Sequence, residues 1–328
     1  EMLRSLVGSE MCIRDRQKLG SMKDLSKLKH RIQAKTLDLV TQRNGASVYQ
    51  GQSSQGEVFI KIANIQTAND RYCEILEALK EFPLTPKVLN KFEWEGSSIL
   101  VISAIEGTQV DQALKNCTRV QKISLLGNAG RALGELHRAL PQTRILNMRF
   151  WQDRDGLSTH WVLWKQQLEL MISKWMSRIN PLSSDYHEFC DQLNELRKYA
   201  KAICEPTQLH LLHCDYKGRN ILVDSENRIS GIIDFDAARI GDAVYDLAKI
   251  IWVDIDFSDL ELRNAFLEGW ECTYKQTVPK MKFLFYVGIQ CLAAIAWTDQ
   301  NPSADGTNPI FRASAIRTLR IALKELEM

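Results

Sequence analysis

The sequence predicts an α+β protein of two lobes, a small β-rich one followed by a larger, mainly helical one. Three observations predict it. Short β-rich runs broken by turn signals fill the segment from about Leu37 to Glu106. Long stretches of helical periodicity dominate after Gly107. The 328 residues, 45% hydrophobic and 25% charged, suit about two domains with sizeable cores. The small lobe is assigned to residues 22–106 and the large lobe to 107–328, with a hinge at 103–107.

The elements follow in order. EMCIRDR (Glu10–Arg16) matches the translation of a sequencing-adapter end, and KLGS (Lys18–Ser21) a cloning scar. Residues 1–21 are therefore expected to be a leader foreign to the fold. No apolar stretch follows the early basic residue, so no secretory signal is expected. Asp24–Lys35 reads as a short polar helix. SVYQGQ and EVFIKIA read as strands around the turn signal SSQG. ANDRYCEILEALKEF reads as a helix, with Ile75, Leu76, Leu79 and Phe82 on one stripe and Pro83 just beyond. PKVLNKFEWEGSSILVISAIEG supplies two more strands around a Glu-Gly-Ser turn. Helices are expected over VQKISLLGNAGRALGELHRAL, THWVLWKQQLELMISKWMSRI and DYHEFCDQLNELRKYAKAIC. The stretch Leu211–Ala248 is strand, loop and strand, and further helices finish the chain. A cleft between the lobes is a favoured ligand position.

Composition excludes several classes. A net charge of +2 without Lys/Arg-rich tracts gives no support for a nucleic-acid partner. FLFYVGIQCLAAIAW, from Phe283, is shorter than the roughly 20 residues a membrane span needs, so it reads as a core helix. The eight cysteines are scattered without a C-x-x-C pair, which suggests reduced thiols in a cytoplasmic protein and no metal–cysteine site.

The chemistry concentrates in LLHCDYKGRNILVDSENRISGIIDFDAARIGDAVYDLA. DSENR (Asp224–Arg228) is a turn cluster between two apolar runs, a hairpin signal. With Asp224 opposite Ile229, Asn220 falls opposite Ile233 and beside Asp234 at the open end. Asp215 enters there too. Oxygen donors of this kind suit a hard divalent cation such as magnesium, with Asn220 and Asp234 as ligands. Asp215 is left to orient a substrate hydroxyl and accept its proton, while Lys217 and Arg219 add positive charge for a polyphosphate. Turn and cap roles compete for each aspartate, and Asp224 is read that way. His213 is read as a packed histidine bonded to backbone.

H-C-D-Y-K-G-R-N (His213–Asn220) resembles the H-x-D-x-x-x-x-N loop of the kinase-like superfamily. IIDFDAARIGDAVYDLA resembles the signature of its aminoglycoside phosphotransferase and choline kinase branch. Asp234 is followed by Phe235 and Asp236 without glycine, and no A-P-E follows, unlike the eukaryotic protein kinases. The resemblance spans Leu39 to Leu326 and implies a bilobal protein-kinase-like fold. It further implies ATP or GTP with magnesium, Asp215 as base, Asn220 and Asp234 as metal ligands, and Lys61 as the lysine on the phosphates. Glu74, or alternatively Glu77, is expected to pair with Lys61. NGASVY (Asn44–Tyr49) stands where a glycine-rich loop would be, so Ser47 or nearby backbone is expected at the phosphates. Backbone of Ser103 to Ile105 is expected to hold the purine. Lys217, at a position frequently histidine in the antibiotic kinases, is expected to neutralise the transferred phosphoryl group. Asp246 is expected to brace the catalytic loop, and Asp242 to shape the turn after the metal site.

The function so implied is transfer of a γ-phosphate to a hydroxyl of a small molecule, most simply an aminoglycoside-type antibiotic. The alternatives are a kinase of a metabolite such as choline, thiamine or homoserine, and a non-catalytic nucleotide-binding regulator. A monomer or homodimer is expected. From Gly241 to Glu271 the acidic residues Asp242, Asp246, Asp254, Asp256, Asp259, Glu261, Glu268 and Glu271 outnumber Lys249 and Arg263. Such an acidic wall would steer a cationic acceptor, and the substrate candidates are Asp236, Asp256, Asp259, Glu268 and Glu271. Asp256, Asp259 and Glu261 also read as helix caps and solvated residues. Trp151, Trp161, Trp164 and Trp175 suit an aromatic wall, though their helical spacing favours core packing.

Overall fold

The computed structural model describes residues 25–43, 46–54, 56–64, 66–148, 164–183, 186–203, 205–301 and 307–327. The expected leader lies outside them. In the small lobe, helix α1 (Leu25–Arg31) precedes strands β1 (Asp38–Arg43), β2 (Ala46–Ser53) and β3 (Gly56–Ala63). Helix α2 (Gln66–Ala78) then leads to β4 (Val88–Trp94) and β5 (Ser97–Ser103). The strands form one five-stranded antiparallel sheet in the order β1-β2-β3-β5-β4.

Alternation along the strands decides which side chains face where. Val58, Ile60 and Ile62 of β3 and Ile99 and Val101 of β5 are buried with Leu28 of α1. Leu100 and Ile102 point to the other face, against Tyr72, Ile75, Leu76 and Leu79 of α2. Each such buried side chain stabilises the fold by about 1.5–3 kcal/mol. The same alternation sends Lys61 to the α2 face, the face toward the large lobe.

The large lobe begins with β6 (Thr108–Gln109), α3 (Val110–Asn116), α4 (Arg119–Arg138) and α5 (Gln142–Leu146). Next come α6 (Trp164–Met176), α7 (Tyr186–Ala202), β7 (His210–Leu212), β8 (Ile221–Val223), β9 (Ile229–Ile232) and β10 (Arg239–Gly241). Helices α8 (Val244–Val253), α9 (Leu260–Tyr274), α10 (Lys280–Gln300) and α11 (Thr307–Glu327) complete it. α4 starts with a capping box: Thr118 accepts from the Gln121 N–H and the Gln121 side chain accepts from the Thr118 N–H. It lies very close to α9. A Cβ on Gly130 would come within 2.1 Å of the Phe266 carbonyl, and one on Gly269 within 2.1 Å of the Gly127 carbonyl.

α10 is 21 residues long, longer than the apolar run suggested, and passes a membrane test on length and composition alone. Its apolar window is 78% buried, so it serves as the central core helix. Gln290, the polar residue within it, donates to the Tyr245 carbonyl at 2.9 Å. Among the described residues Cys73, Cys117, Cys190, Cys214, Cys272 and Cys291 take part in no disulfide.

The hairpin is β8–β9, paired Ile221 to Ile232 and Leu222 to Gly231. That register matches the expected one at the open end, where the Ile233 N–H donates to the Asn220 carbonyl at 2.9 Å. Nearer the turn a bulge shifts the pairing, so Val223 rather than Asp224 opposes Ile229. Asp224 is a turn residue, accepting from the backbone N–H groups of Glu226 at 2.8 Å and Arg228 at 2.9 Å.

Candidate active site

The loop from His213 to Asn220 is held by α8 at both ends. Asp246, wholly buried, accepts the His213 N–H at 2.6 Å, the Cys214 N–H at 2.7 Å and His137 Nε2 at 3.1 Å. Trp270 Nε1 donates to His137 Nδ1 at 3.0 Å, so the proton of the neutral ring sits on Nε2 and points at the carboxylate. These donors offset the cost of burying a charge. Asp246 thus ties the His213–Cys214 backbone and His137 to α8. His213 accepts the Asp215 N–H on Nδ1 at 3.2 Å and donates from Nε2 to the Ile233 carbonyl at 2.9 Å. Burial holds its pKa below the ordinary histidine value. At the far end Asp254, just past α8, accepts the Gly218 N–H at 2.6 Å. Burial, opposed by that N–H and reinforced by Asp111, pushes the Asp254 carboxyl up to about 7. Position 218 must be glycine-sized, since a Cβ there would sit 2.7 Å from the Asp111 backbone nitrogen.

Within this frame Asp215 is buried, and its two oxygens differ. Oδ2 accepts from Asn220 Nδ2 at 3.0 Å and lies 2.9 Å from Lys217 Nζ. Oδ1 is buried and has no hydrogen-bond partner, with Lys249 Nζ at 3.5 Å. Asn220 also donates to the Asp215 carbonyl at 2.9 Å, so its amide nitrogen is committed and its Oδ1 is the atom that could face a cation. Asp234 follows the hairpin in a left-handed conformation, with φ 66°. Burial first, then the Asp236 carboxylate, pushes the Asp234 carboxyl up to about 7, against the pull of Lys61. Such a crowd of oxygens suits a divalent cation, which would relieve the repulsion. Among the described residues no three His, Cys, Asp or Glu side chains close into a metal cage. Magnesium takes one or two carboxylates and completes its shell with phosphate oxygens and water, so Asn220 and Asp234 are residues that could hold it.

Lys61 Nζ lies 2.6 Å from Asp236 Oδ1 and 3.7 Å from the centre of the Tyr72 ring. The pairing with Glu74 or Glu77 is therefore corrected. α2 turns Tyr72 toward the lysine, leaves Glu74 half-buried and Glu77 exposed, and the carboxylate comes from Asp236 instead. Asp236, expected among the substrate candidates, is the residue that pairs with Lys61. Burial opposes the Lys61 charge, yet Asp236, Tyr72 and Asp234 hold its pKa above the ordinary lysine value. Ser47 is buried in β2 opposite Ile62. In the hinge, the Ser103 N–H donates to the Lys87 carbonyl at 2.9 Å and Ser103 Oγ accepts the Lys87 N–H at 2.9 Å. The Ala104 N–H donates to the Glu57 carbonyl at 3.0 Å. Ser103 is thus tied into the sheet through its N–H and hydroxyl.

The model of the phosphotransferase enzyme family (APH) matches residues 39–284. The chain belongs to that family. The phosphotransferase also resembles solved structures closely in fold. One is a thermostable mutant of aminoglycoside phosphotransferase APH(4)-Ia with ADP and hygromycin B: 16% identity, 91% of this chain, 97% of that one, TM-score 0.64. Another is a putative aminoglycoside phosphotransferase from Ralstonia eutropha: 11% identity, 92% and 97% covered, TM-score 0.66. Choline kinase LicA from Streptococcus pneumoniae is 15% identical over 90% and 96%, with a TM-score of 0.62. No curated protein sequence matches the chain.

The acidic wall expected in the phosphotransferase is not assembled at the catalytic loop. Asp259 caps α9 by accepting the Leu262 N–H and pairs with Arg119 at 2.7 Å. Glu261 pairs with the same arginine at 2.7 Å. Asp256 accepts from the Ser258 hydroxyl at 2.7 Å, and Glu271 accepts the Val278 N–H at 2.7 Å. Glu268 and Glu271 line a surface groove with Arg263 and Lys280, to which Asp215, Lys217, Asn220 and Asp234 contribute nothing. Asp242 shapes its turn as expected, accepting the Val244 N–H at 3.1 Å, and it also accepts from the Tyr286 hydroxyl at 3.0 Å. Trp164 is buried and donates to the Tyr286 hydroxyl at 2.7 Å, a core role; Trp175 is partly buried beside Arg178. Trp151 and Trp161 lie outside the described residues. Sequence reasoning missed Tyr72 and His137, and counted Lys249 and Asp254 only among the charges after Gly241, not as partners of Asp215 and Gly218. Only Lys249 carried a signal: it follows Asp246 by one helical turn and so shares its face.

Proposed function

We propose that the protein transfers the γ-phosphate of ATP or GTP to a hydroxyl of a small molecule. The observation that carries this is the split carboxylate of Asp215. Its Oδ2 is held by Asn220 and Lys217, while its Oδ1 is buried and still lacks a hydrogen-bond partner. An acceptor hydroxyl donating to Oδ1 satisfies that atom and is oriented for in-line attack. The acceptor oxygen bonds to phosphorus as the bond to the nucleoside diphosphate breaks, and its proton passes to Asp215. Lys61, fixed by Asp236, and Lys217 face the phosphate oxygens and offset their charge. Magnesium held by Asn220 and Asp234 would supply further neutralisation along the phosphate chain. Ile105 and the Ser103 carbonyl are the hinge groups assigned to the purine, and Ser47 remains a candidate for the phosphate end. The free cysteines support a reducing compartment, as in cytoplasm.

For the acceptor, an aminoglycoside is the simplest reading of the hygromycin-bound relative. The pairing of Asp259 and Glu261 with Arg119 removes the main support for a polycation. We therefore favour a small hydroxylated metabolite over an antibiotic, and the intact site argues against a non-catalytic regulator. Asp215→Asn should lower kcat by about 10²–10⁴-fold while nucleotide binding persists, measured by mass detection of phosphate gain across an acceptor panel. An Asp215→Asn protein as active as the parent would end the assignment.

A further inference from the structure

Lys249 stands on α8 one turn after Asp246, and its side chain is 20% exposed. Its ammonium has three donors. Among the described residues its anionic neighbour is Asp215, at 3.5 Å, an ion-pair contact too loose to satisfy Oδ1. The Trp252 ring lies 5.9 Å away, at the edge of useful cation–π range. Lys217 already balances Asp215 at 2.9 Å. Lys249 is thus a second, largely desolvated cation beside one carboxylate. Burial holds its pKa below the ordinary lysine value, and Lys217 adds to that while Asp215 opposes it. Cys291 of α10, its other titratable neighbour, is kept a neutral thiol by burial. A buried charge without strong partners is costly, so a site that keeps one is built for an anion that arrives later.

We propose that Lys249 binds an anionic group of the acceptor, a carboxylate or phosphate carried close to the hydroxyl that donates to Asp215 Oδ1. The acceptor is then a small hydroxy acid or a polyol phosphate. The proposal rests on the phosphotransferase reading of Asp215 and deepens it. The short span from Lys249 to Oδ1 requires the anion to sit on the hydroxyl-bearing carbon or within a bond or two of it.

The test uses the full chain with magnesium–ATP and matched acceptors: glycerate and glycerol phosphate, neutral glycerol, and cationic choline and kanamycin. The anionic acceptors should exceed glycerol in kcat/KM by about tenfold or more, the worth of one charged hydrogen bond. Lys249→Gln should remove that advantage, mainly through KM, and Lys249→Arg should restore part of it. Preference for choline or kanamycin, or equal losses on glycerate and glycerol, would overturn the proposal. If no acceptor is turned over, malonate binding is measured by tryptophan fluorescence on protein saturated with magnesium–AMP-PNP. Malonate should bind the parent about tenfold more tightly than Lys249→Gln. Equal affinity, or no binding to the parent, would overturn it. Failure of the kinase reading looks different: no binding of magnesium–AMP-PNP, or full transfer by Asp215→Asn.

Discussion

Asp254 carries a consequence for pH that follows from its burial. Its carboxyl, at about 7 when folded, ordinarily titrates near 3.8. Between those values the folded protein keeps a proton that the unfolded chain releases. The contribution of Asp254 to stability is therefore full below about pH 4 and is lost as the pH rises through about 7. Asp254→Asn keeps an oxygen for the Gly218 N–H but no longer titrates. In urea unfolding at about pH 5 and about pH 8, the parent should lose more stability across the interval than Asp254→Asn. Parallel losses would show that the buried carboxyl does not act this way. At this scale the site was only partly legible in the sequence. Asp215 and Asn220 are five residues apart, and the hairpin register brings Asp234 beside them, so local spacing suffices. The partner of Lys61 was hidden because Asp236 is 175 residues distant and α2 rotates Tyr72, not a glutamate, into the contact.

Elements were more legible than their contacts. EVFIKIA read as a strand, and in the fold its alternation buries Val58, Ile60 and Ile62 on one face and turns Lys61 to the other. The acidic segment before α9 showed its helix cap at Asp259, but not that Arg119 of α4 would bind both Asp259 and Glu261. That contact exists because glycines let α4 and α9 approach so closely. Gly130→Ala would drive a methyl group to 2.1 Å from the Phe266 carbonyl. The expected cost is about 1–3 kcal/mol, less whatever the alanine gains in helix propensity. A lowered urea midpoint with unchanged slope checks this, and an unchanged midpoint would mean that the helices separate freely.

Across the whole molecule, the change from strand to helical periodicity at Gly107 marked the lobes. What periodicity does not encode is how they join. One apolar cluster runs from Leu76, Leu100 and Ile102 of the small lobe through to Phe266 and Ile289 of the large one. Lys61–Asp236, Arg71 to the Ala238 carbonyl and the Ile232 N–H to the Leu84 carbonyl tie the same face. The joined lobes bring Lys61 against the segment that carries Asp234, so the phosphate and metal roles proposed for them fall to one site. The most direct test is a crystal grown with AMP-PNP and manganese in place of magnesium, with the metal located by anomalous scattering. The manganese should lie between Asn220 Oδ1 and the Asp234 carboxylate at about 2.0–2.3 Å from each, with the γ-phosphate facing Asp215. A metal found away from both residues, with nucleotide bound, would contradict the account.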